Sequence, residues 1–288
     1  MFDQVEAFHR PGTVREALRL LESGKGRARI VAGATDVAVQ RDQSTRILID
    51  ITCAGLSYIR REGGGWVVGA TTTMAEVEQA AGMRTLANGL LARTAAMCGS
   101  LQNRNRATVG GNIANGSPAA ELPTALLALD ATVEVATLKG RRTMPLAEYQ
   151  AARRNGGGRA LLVEVEIPRP PGGARTGWAF QKFGRTALDI SVVNAAAGLQ
   201  LDAKGRVKSV RIALGAVAPA AMRAQAAEVL MTGRPLDRAL LAEAGDAVAE
   251  EVRPITDVRA TAGFRRDLSR VLAMRALEEC ALQAGCRL

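Results

Sequence analysis

The 288-residue sequence predicts an α+β fold in two domains. Strand-like and helix-like segments alternate over residues 1–60, which favours a small α/β subdomain with parallel strand pairing. Residues 61–172 mix the two element types as an α+β subdomain, and the run Arg-Pro-Pro-Gly-Gly at 169–173 is the clearest boundary signal. Beyond it, three strands followed by three helices predict a C-terminal α+β domain over residues 173–288, with an antiparallel sheet and helices.

Capping residues and hydrophobic patterns place the elements of the first domain. Thr13 with Glu16, and Thr73 with Glu76, form two capping boxes, each of which predicts the start of a helix. Alternating or continuous apolar residues predict strands, and longer apolar-rich segments predict helices. The predicted strands are Arg29–Ala32, Ile47–Ile51, Trp66–Gly69, Thr132–Leu138 and Leu161–Ile167, and the further predicted helices are Arg84–Cys98 and Pro123–Leu129.

The second domain follows from the same patterns. The tetrapeptide Asp202-Ala203-Lys204-Gly205 predicts a hairpin loop between two strands. The predicted strands are Gly177–Phe183, Asn194–Leu201 and Val207–Ala216, and the predicted helices are Ala224–Met231, Asp237–Glu251 and Arg265–Ala284.

The basic composition does not indicate a nucleic-acid partner. The chain carries 38 basic and 28 acidic residues, a net charge of +10, but the arginines are spread along the whole sequence. The densest runs are isolated doublets, and aromatic residues make up only 3%, too few for a base-stacking platform. We therefore expect a solvated surface with some partner-facing arginines and no nucleic acid.

Cysteine spacing and the lack of long apolar segments indicate the cellular compartment of the protein. Cys53, Cys98, Cys280 and Cys286 share no CxxC spacing, so they predict neither a metal site nor a disulfide framework. Buried thiols in a reducing cytosol are the simplest interpretation. No apolar run approaches the roughly 20 residues of a membrane span, and the N-terminus lacks a signal pattern. The sequence thus predicts a cytoplasmic protein without a membrane span.

Two glycine-containing segments, far apart in sequence, carry the functional signal. One is Ile30–Asp36 (IVAGATD) and the other is Arg106–Asn115 (RATVGGNIAN). Either alone is more readily a structural turn, and both the GxGxxG fingerprint and the P-loop are absent. The second segment carries short polar side chains at Asn112 and Asn115 and leads into a helix, an arrangement favourable for phosphate and ribose. Each segment is expected to form a turn that offers small residues and free backbone N–H groups to an anion. Together the two turns can hold a diphosphate between them, which points to a dinucleotide cofactor.

Three stretches resemble one family over essentially the whole chain. Gly99–Leu122 resembles the FAD-binding segment of the flavoprotein (medium) subunit of molybdenum hydroxylases, the xanthine dehydrogenase and carbon monoxide dehydrogenase family. Ile30–Val37 resembles its first FAD loop, and Lys182–Arg185 with Asp189–Ser191 resembles the start of its C-terminal domain. The resemblance implies a two-part FAD-binding domain of the vanillyl-alcohol oxidase-like (PCMH) type, followed by the C-terminal α+β domain.

The resemblance also implies a set of FAD-binding residues. The first loop would wrap one side of the diphosphate and the second loop the other, while Asn115 and Glu121 would lie towards the ribityl chain. Val163 matches an apolar position beside the flavin ring, and Lys182 falls near a lysine that reaches the flavin in relatives. The complete implied set is Arg29, Ile30, Val31, Ala32, Gly33, Ala34, Thr35, Asp36, Val37, Thr108, Val109, Gly110, Gly111, Asn112, Asn115, Glu121, Val163 and Lys182.

The sequence departs from the family pattern at three positions. Ala34 stands where the first loop usually carries a second glycine, and a β-carbon there is strained if φ is positive. Glu121 replaces an aspartate, which keeps the charge but lengthens the reach, and Asn103 replaces an aliphatic residue. The four-cysteine iron–sulfur loop of some relatives is absent and His9 is the single histidine. We therefore expect no metal site and no catalytic acid–base residue in this chain.

The function implied by the resemblance is a flavin relay. FAD in this chain would accept electrons from [2Fe-2S] clusters on a small partner subunit and deliver them to an external acceptor. A large partner subunit would carry the molybdopterin cofactor, the small one would carry two clusters, and a dimer of heterotrimers is expected. The substrate of the complex stays open, as does the acceptor among NAD, oxygen, a quinone and a cytochrome.

Two other functions stay open at this point. A non-catalytic assembly module that has lost its flavin is favoured by Ala34 alone. A stand-alone flavin oxidase would usually attach FAD through a histidine or cysteine in the first loop region, where neither His9 nor Cys53 lies. The flavin content of the purified protein, and whether acid releases that flavin, distinguishes these functions.

Overall fold

The chain folds into two compact units. The computed structural model describes residues 4–40, 42–154 and 160–288. Unit 1 comprises the described residues of Met1–Val77, Ser100–Gly116 and Ala131–Pro168, and unit 2 comprises Glu78–Gly99, Ser117–Asp130 and Arg169–Leu288. Each unit is therefore built from three separate stretches of sequence. The linear division into domains 1–172 and 173–288 stays a prediction.

The elements alternate along the described residues in the mixed order expected of an α+β chain. The strands are β1 (Ala7–His9), β2 (Ala28–Val31), β3 (Ile47–Asp50), β4 (Ile59–Glu62), β5 (Gly65–Gly69), β6 (Thr132–Thr137), β7 (Gly140–Pro145), β8 (Leu161–Ile167), β9 (Thr176–Phe183), β10 (Val193–Leu201), β11 (Val207–Gly215) and β12 (Met222–Arg223). The helices are α1 (Val14–Ser23), α2 (Val37–Gln40), α3 (Met74–Gln79), α4 (Ala81–Thr85), α5 (Leu90–Ala96), α6 (Leu101–Arg104), α7 (Val109–Asn115), α8 (Glu121–Ala128), α9 (Leu146–Arg154), α10 (Gln225–Met231), α11 (Arg238–Glu251) and α12 (Ala262–Gln283). Short 3-10 turns lie at Ile51–Cys53 and Leu86–Gly89.

Unit 1 begins with a small parallel sheet in the order β1-β3-β2. Both pairs are parallel, so the predicted parallel pairing of the first subdomain is confirmed. The side chain of Thr13 caps α1 by accepting a hydrogen bond from the N–H of Glu16 at 3.2 Å, as the capping box predicts. Strand β2 ends at Val31, so the first glycine segment follows directly from the carboxyl end of a parallel strand.

A second sheet of unit 1 runs in the order β4-β5-β8-β6-β7 and is antiparallel throughout. Strand β8 has the predicted bounds, and its residues Val163 and Val165 are buried together with Val133 and Val135 of β6. Strand β7 and helix α9 were not predicted. The exposed, arginine-bearing start of β7 lacks the apolar alternation by which a strand is detected.

Unit 2 contains a four-stranded antiparallel sheet in the order β12-β11-β10-β9. Its antiparallel pairing and its cover of helices confirm the fold class predicted for the C-terminal part. Helix α12 packs on β9 and β10 closely enough that a β-carbon on Gly177 would lie 2.1 Å from the carbonyl oxygen of Cys280. The buried guanidinium of Arg265 donates to the carbonyl oxygens of Val192 (2.6 Å) and Ala216 (3.2 Å).

The predicted continuous helix over Arg84–Cys98 is wrong. Helix α4 ends at Thr85 and α5 begins at Leu90, with a 3-10 turn between them. Ala87, Asn88 and Gly89 have positive φ angles of 48°, 55° and 73°. An Asn-Gly pair adopts this left-handed region readily, so it breaks the helix despite the alanine- and leucine-rich sequence around it.

Candidate functional site

A cavity of about 510 Å³ in unit 1 is lined by both glycine segments. Its wall includes the whole of residues 28–37, and Thr108, Gly110, Gly111, Asn112 and Asn115 of the second segment. The two segments are far apart in sequence and meet where the backbone of Gly33 packs against that of Arg106. Among the predicted site residues, the structure therefore brings together Arg29–Val37 and these five residues of the second segment.

The first segment has a left-handed turn directly after β2. Ala34 has a φ of +60°, so the position where relatives carry glycine does require the left-handed region here. An L-residue in that region costs roughly 1–2 kcal/mol relative to an ordinary backbone conformation. Gly33 has an ordinary φ, but its α-carbon packs against the backbone of Arg106 without room for a side chain. The loop is thus held against the second segment through backbone contact.

The first segment offers unused hydrogen-bond donors to the cavity. Within the described residues, the backbone N–H groups of residues 33–37 make no hydrogen bond. Backbone N–H groups in a protein fold are nearly always satisfied, so five consecutive free donors beside a cavity indicate a place for an oxygen-rich ligand. The carbonyls of Ala34 and Asp36 are used differently, because they accept from helix α2.

The second segment is not the turn that the sequence predicts. Its glycines lie within the first turn of helix α7, for which Thr108 is the N-cap residue. The N–H groups of Val109 and Gly110 donate to backbone carbonyls at 2.9 and 2.8 Å, and that of Gly111 donates to Oγ1 of Thr108 at 3.1 Å. Because the protein itself uses these donors, the expectation that both segments offer free N–H groups is wrong for the second one.

The glycines of α7 have different surroundings. A β-carbon on Gly110 would lie 2.6 Å from the β-carbon of Ala70, so this glycine serves internal packing. Gly111 is exposed, and a β-carbon there would approach only Oγ1 of Thr108, at 2.8 Å. Gly111 therefore keeps the cavity side of α7 clear of side-chain atoms.

One polar atom at the cavity lacks a partner. Oδ1 of Asn112 is buried and accepts no hydrogen bond within the part of the chain that the structure describes. A buried acceptor without a donor costs about 1–3 kcal/mol, which a hydroxyl-bearing ligand would recover. The orphan acceptor of Asn112 and the free N–H groups of residues 33–37 fit a ligand that carries both phosphate oxygens and hydroxyl groups, as FAD does.

The charges on the wall are mixed. The half-buried Arg29 and the exposed Arg153 contribute cations, and Asp36 contributes the carboxylate nearest the free N–H groups. Partial burial raises the pKa of Asp36, and the positive charge of Arg29 opposes that rise. Two cations against one carboxylate leave this wall with a net attraction for a diphosphate.

Four predicted site residues are not on the cavity wall. Val109 and Val163 are buried, at 2% and 1% exposure, and contribute to the packing behind it. Glu121 and Lys182 belong to unit 2, where Lys182 Nζ lies 2.8 Å from Oε1 of Glu121 and donates to the carbonyl of Met97 at 2.9 Å. The hydroxyl of Ser191 donates to the same carboxylate oxygen at 2.8 Å. The longer Glu121 side chain is therefore engaged in a buried ion pair.

Sequence reasoning missed several residues of the wall. Gln40, Tyr149, Arg153 and Leu161–Leu162 line the same cavity. Tyr149 and Arg153 lie on α9, which was not predicted, so nothing in the sequence placed them near the glycine segments. Gln40 lies one helical turn beyond Asp36, on the short helix α2. The spacing of four residues could have added Gln40 to the predicted site, because residues one turn apart share a helix face.

Comparison with known proteins agrees with this geometry. The model of the FAD binding domain in molybdopterin dehydrogenase matches residues 2–170, and that of the CO dehydrogenase flavoprotein C-terminal domain matches residues 178–280. The chain belongs to the FAD-binding subunits of molybdenum hydroxylases. It is thus a flavoprotein subunit of an oxidoreductase, and the predicted family is confirmed.

Relatives of the FAD-binding subunit cover its whole length. It is 33% identical to the 6-hydroxypseudooxynicotine dehydrogenase complex subunit alpha of Paenarthrobacter nicotinovorans, over 98% of this chain and 95% of that one. It is 32% identical to a xanthine dehydrogenase FAD-binding subunit of Escherichia coli O157:H7, over 100% of both. A structure of carbon monoxide dehydrogenase from Hydrogenophaga pseudoflava contains a chain that superimposes with a TM-score of 0.89 at 28% identity, over 100% of both chains.

Two other features are absent from the residues that the structure describes. No helix among them is long and apolar enough to cross a membrane. Within the same ranges, no group of three or more histidine, cysteine, aspartate or glutamate side chains could hold a metal ion.

Proposed function

We propose that this chain binds one FAD in the cavity of unit 1 and serves as the last electron relay of a molybdenum hydroxylase complex. The chain would hold the FAD through which electrons from the [2Fe-2S] clusters of a small partner subunit would reach an external acceptor. A large partner subunit carries the molybdopterin cofactor and binds the substrate, and the complex is a dimer of such heterotrimers. The family membership and the free N–H groups of residues 33–37 support this proposal.

In the proposed mechanism, the chain binds and orients the cofactor. FAD, when bound, supplies the two-electron and one-electron chemistry of its ring. The free N–H groups of residues 33–37 donate to the diphosphate oxygens, and Arg29 adds a positive charge on the same side. Asn112 accepts from a hydroxyl group, and Gly111 leaves room for the ligand beside α7. We assign no acid or base role on the substrate to the side chains of the described residues.

The roles of the remaining predicted residues rest on the family resemblance. Glu121 and Lys182 are assigned towards the ribityl chain and the flavin ring, and Val163 towards the ring's apolar side. Their buried ion pair gives Glu121 and Lys182 fixed positions within unit 2. The acceptor of the electrons is left open among NAD, oxygen, a quinone and a cytochrome.

One observation favours the second candidate, an assembly module without flavin. The left-handed φ of Ala34 makes the first loop less stable than it would be with glycine. The cost is small against the binding energy of a dinucleotide, and the loop keeps all five N–H groups free. The relay is therefore the better supported function.

The decisive experiment is a flavin measurement on the purified full-length chain and on its native complex. We expect one FAD per chain, released by acid precipitation and identified by chromatography, and reduced when the complex is given its substrate. A flavin-free complex with bound partner subunits would establish the assembly module instead. Flavin that stays with the precipitated protein would indicate covalent attachment and a flavin oxidase.

A further inference from the structure

A row of three side chains at the cavity links the elements that flank the first glycine segment to the end of the second one. Gln40 accepts a hydrogen bond at Oε1 from Nη2 of Arg29, and its Nε2 donates to Oδ1 of Asn115 at 2.8 Å. Arg29 belongs to β2, Gln40 to α2, and Asn115 is the last residue of α7. All three line the cavity, so the row connects β2 and α2 to α7 along its wall within unit 1.

The chemistry of the arginine fixes the direction of the row. A guanidinium group has donors and no acceptor, so the glutamine amide must turn its oxygen towards Arg29. Its NH₂ group then faces Asn115, which must answer with its own oxygen. The Nδ2 group of Asn115 is left over as a donor, and it makes no hydrogen bond to any group in residues 4–40, 42–154 or 160–288.

The backbone of Asn115 is held independently of this row. Nη2 of Arg153 donates to the carbonyl oxygen of Ala114 at 2.8 Å, and Gly116 ends α7 in the left-handed conformation that allows a tight stop. Gln40 therefore controls which way the Asn115 amide faces, while other contacts control where the residue lies.

We propose that Gln40 is a positioning residue that sets the hydrogen-bonding polarity of the cavity wall at Asn115. It holds the amide so that the wall offers a donor, which suits an acceptor oxygen of the bound flavin nucleotide, such as a phosphate oxygen. The inference rests on the proposed FAD site. It adds Gln40, which contacts the proposed ligand-binding residue Asn115 and was not among the residues implied by the family resemblance.

Replacing Gln40 by glutamate reverses the polarity without removing the row. A carboxylate accepts from Arg29 and can accept from Asn115 only if that amide turns round, which presents Oδ1 to the ligand. We expect Gln40→Glu to weaken FAD binding by about tenfold or more. The ligand would lose the hydrogen bond from the Asn115 amide and would instead face the oxygen of that amide, which repels an acceptor. FAD affinity is measured by fluorescence titration of the full-length chain after removal of its flavin.

Two control variants distinguish the effect of reversing the Asn115 amide from the effect of adding a negative charge. Val39→Glu places the same charge on the adjacent residue of α2, whose side chain is 79% exposed and off the cavity wall, and we expect a loss below about threefold. Gln40→Met removes both hydrogen bonds without a charge, leaves the Asn115 amide free to rotate, and should cost about threefold.

A double-mutant cycle with Asn115→Ala makes the coupling measurable. Without the amide there is no polarity to reverse, so Gln40→Glu should then cost no more than Val39→Glu does. The melting temperature of Gln40→Glu without flavin should agree with that of the wild-type chain, because the introduced carboxylate keeps the contact with Arg29. A role in folding alone would shift that temperature and leave the affinity ratio unchanged.

The outcomes distinguish this inference from the proposed function. If the wild-type chain binds FAD and Gln40→Glu binds it as well as Val39→Glu does, or loses tenfold even in the Asn115→Ala background, the positioning role is overturned and the FAD site stands. If the wild-type chain takes up no FAD, the proposed function fails and this inference fails with it.

Discussion

A β-carbon on Gly33 would lie 1.8 Å from the carbonyl oxygen of Arg106. The two glycine segments are thus joined by backbone contact, and the glycine is required by the protein's own packing. This contact brings the free N–H groups of residues 33–37 to the same cavity as α7. The glycines of this site have separate physical roles, which mutations can test one at a time.

Gly33→Ala should destabilise unit 1. The added methyl group meets backbone atoms, which cannot move aside as a flexible side chain could, so we expect a loss of about 3 kcal/mol in the free energy of unfolding. Gly12→Ala is the matched control, because a β-carbon there has no atom within 4 Å. Urea unfolding of both variants without flavin checks this, and equal stabilities would contradict the contact.

Ala34→Gly should stabilise the chain. The substitution removes the cost of a left-handed L-residue, about 1–2 kcal/mol, and adds the entropy cost of glycine, about 0.5–1 kcal/mol. We expect a net gain of about 0.5–1 kcal/mol in thermal or urea unfolding. Ala32→Gly, at an ordinary φ, should lower stability instead. A loss of stability in both variants would show that the turn is not left-handed.

Gly111→Val should abolish flavin retention while leaving the fold intact. The valine side chain meets only the Thr108 hydroxyl and then projects into the cavity. The control is Gly263→Val in the first turn of α12, where a β-carbon meets nothing within 4 Å. Both variants should melt within a few degrees of the wild-type chain. Retained FAD in Gly111→Val would show that the ligand does not pass beside α7.

The buried ion pair between Glu121 and Lys182 predicts strong coupling. Lys182→Met leaves the buried carboxylate with Ser191 as its one remaining side-chain partner among the described residues, so it should cost about 3 kcal/mol or more. Lys182→Met combined with Glu121→Gln removes both charges and should cost clearly less than Lys182→Met alone. Urea unfolding of the single and double variants measures this, and additive losses would mean that the two groups do not interact.

Asp257 predicts a pH dependence of stability. The backbone N–H of Arg259, together with the buried guanidinium of Arg265, lowers the pKa of this carboxyl from 3.8 to about 2. The carboxylate stabilises the fold fully above its unfolded-state pKa, and this contribution disappears as the pH falls through about 2. Asp257→Asn should therefore be less stable than the wild-type chain at neutral pH, with the difference shrinking between about pH 4 and about pH 2.

The control for this pH experiment is Asp267→Asn on α12. Asp267 is exposed and makes no ion pair or side-chain hydrogen bond within the described residues. Its stability should follow that of the wild-type chain at every pH. A difference for Asp257→Asn that stayed constant from neutral pH to about pH 2 would contradict the lowered pKa.

Much of the fold could be predicted because local signals were strong. The capping box at Thr13 is formed, and β8 has its predicted bounds because its apolar residues alternate with glutamates. Strand β7 and helix α9 escaped prediction since their exposed arginines carry no clear period. The helix expected over Arg84–Cys98 failed because one Asn-Gly pair outweighs the helix propensity of its neighbours.

By itself, the sequence determined the fold class, the family and the two segments that make the site, because these depend on glycines, caps and hydrophobic periods that act locally. Only the tertiary structure decided which backbone donors stay free. The N–H groups at the start of α7 are consumed by its own N-cap and by the neighbouring backbone, whereas those of residues 33–37 have no partner among the described residues. It also decided that Gln40 lies between Arg29 and Asn115, since these hydrogen bonds depend on how β2, α2 and α7 pack together.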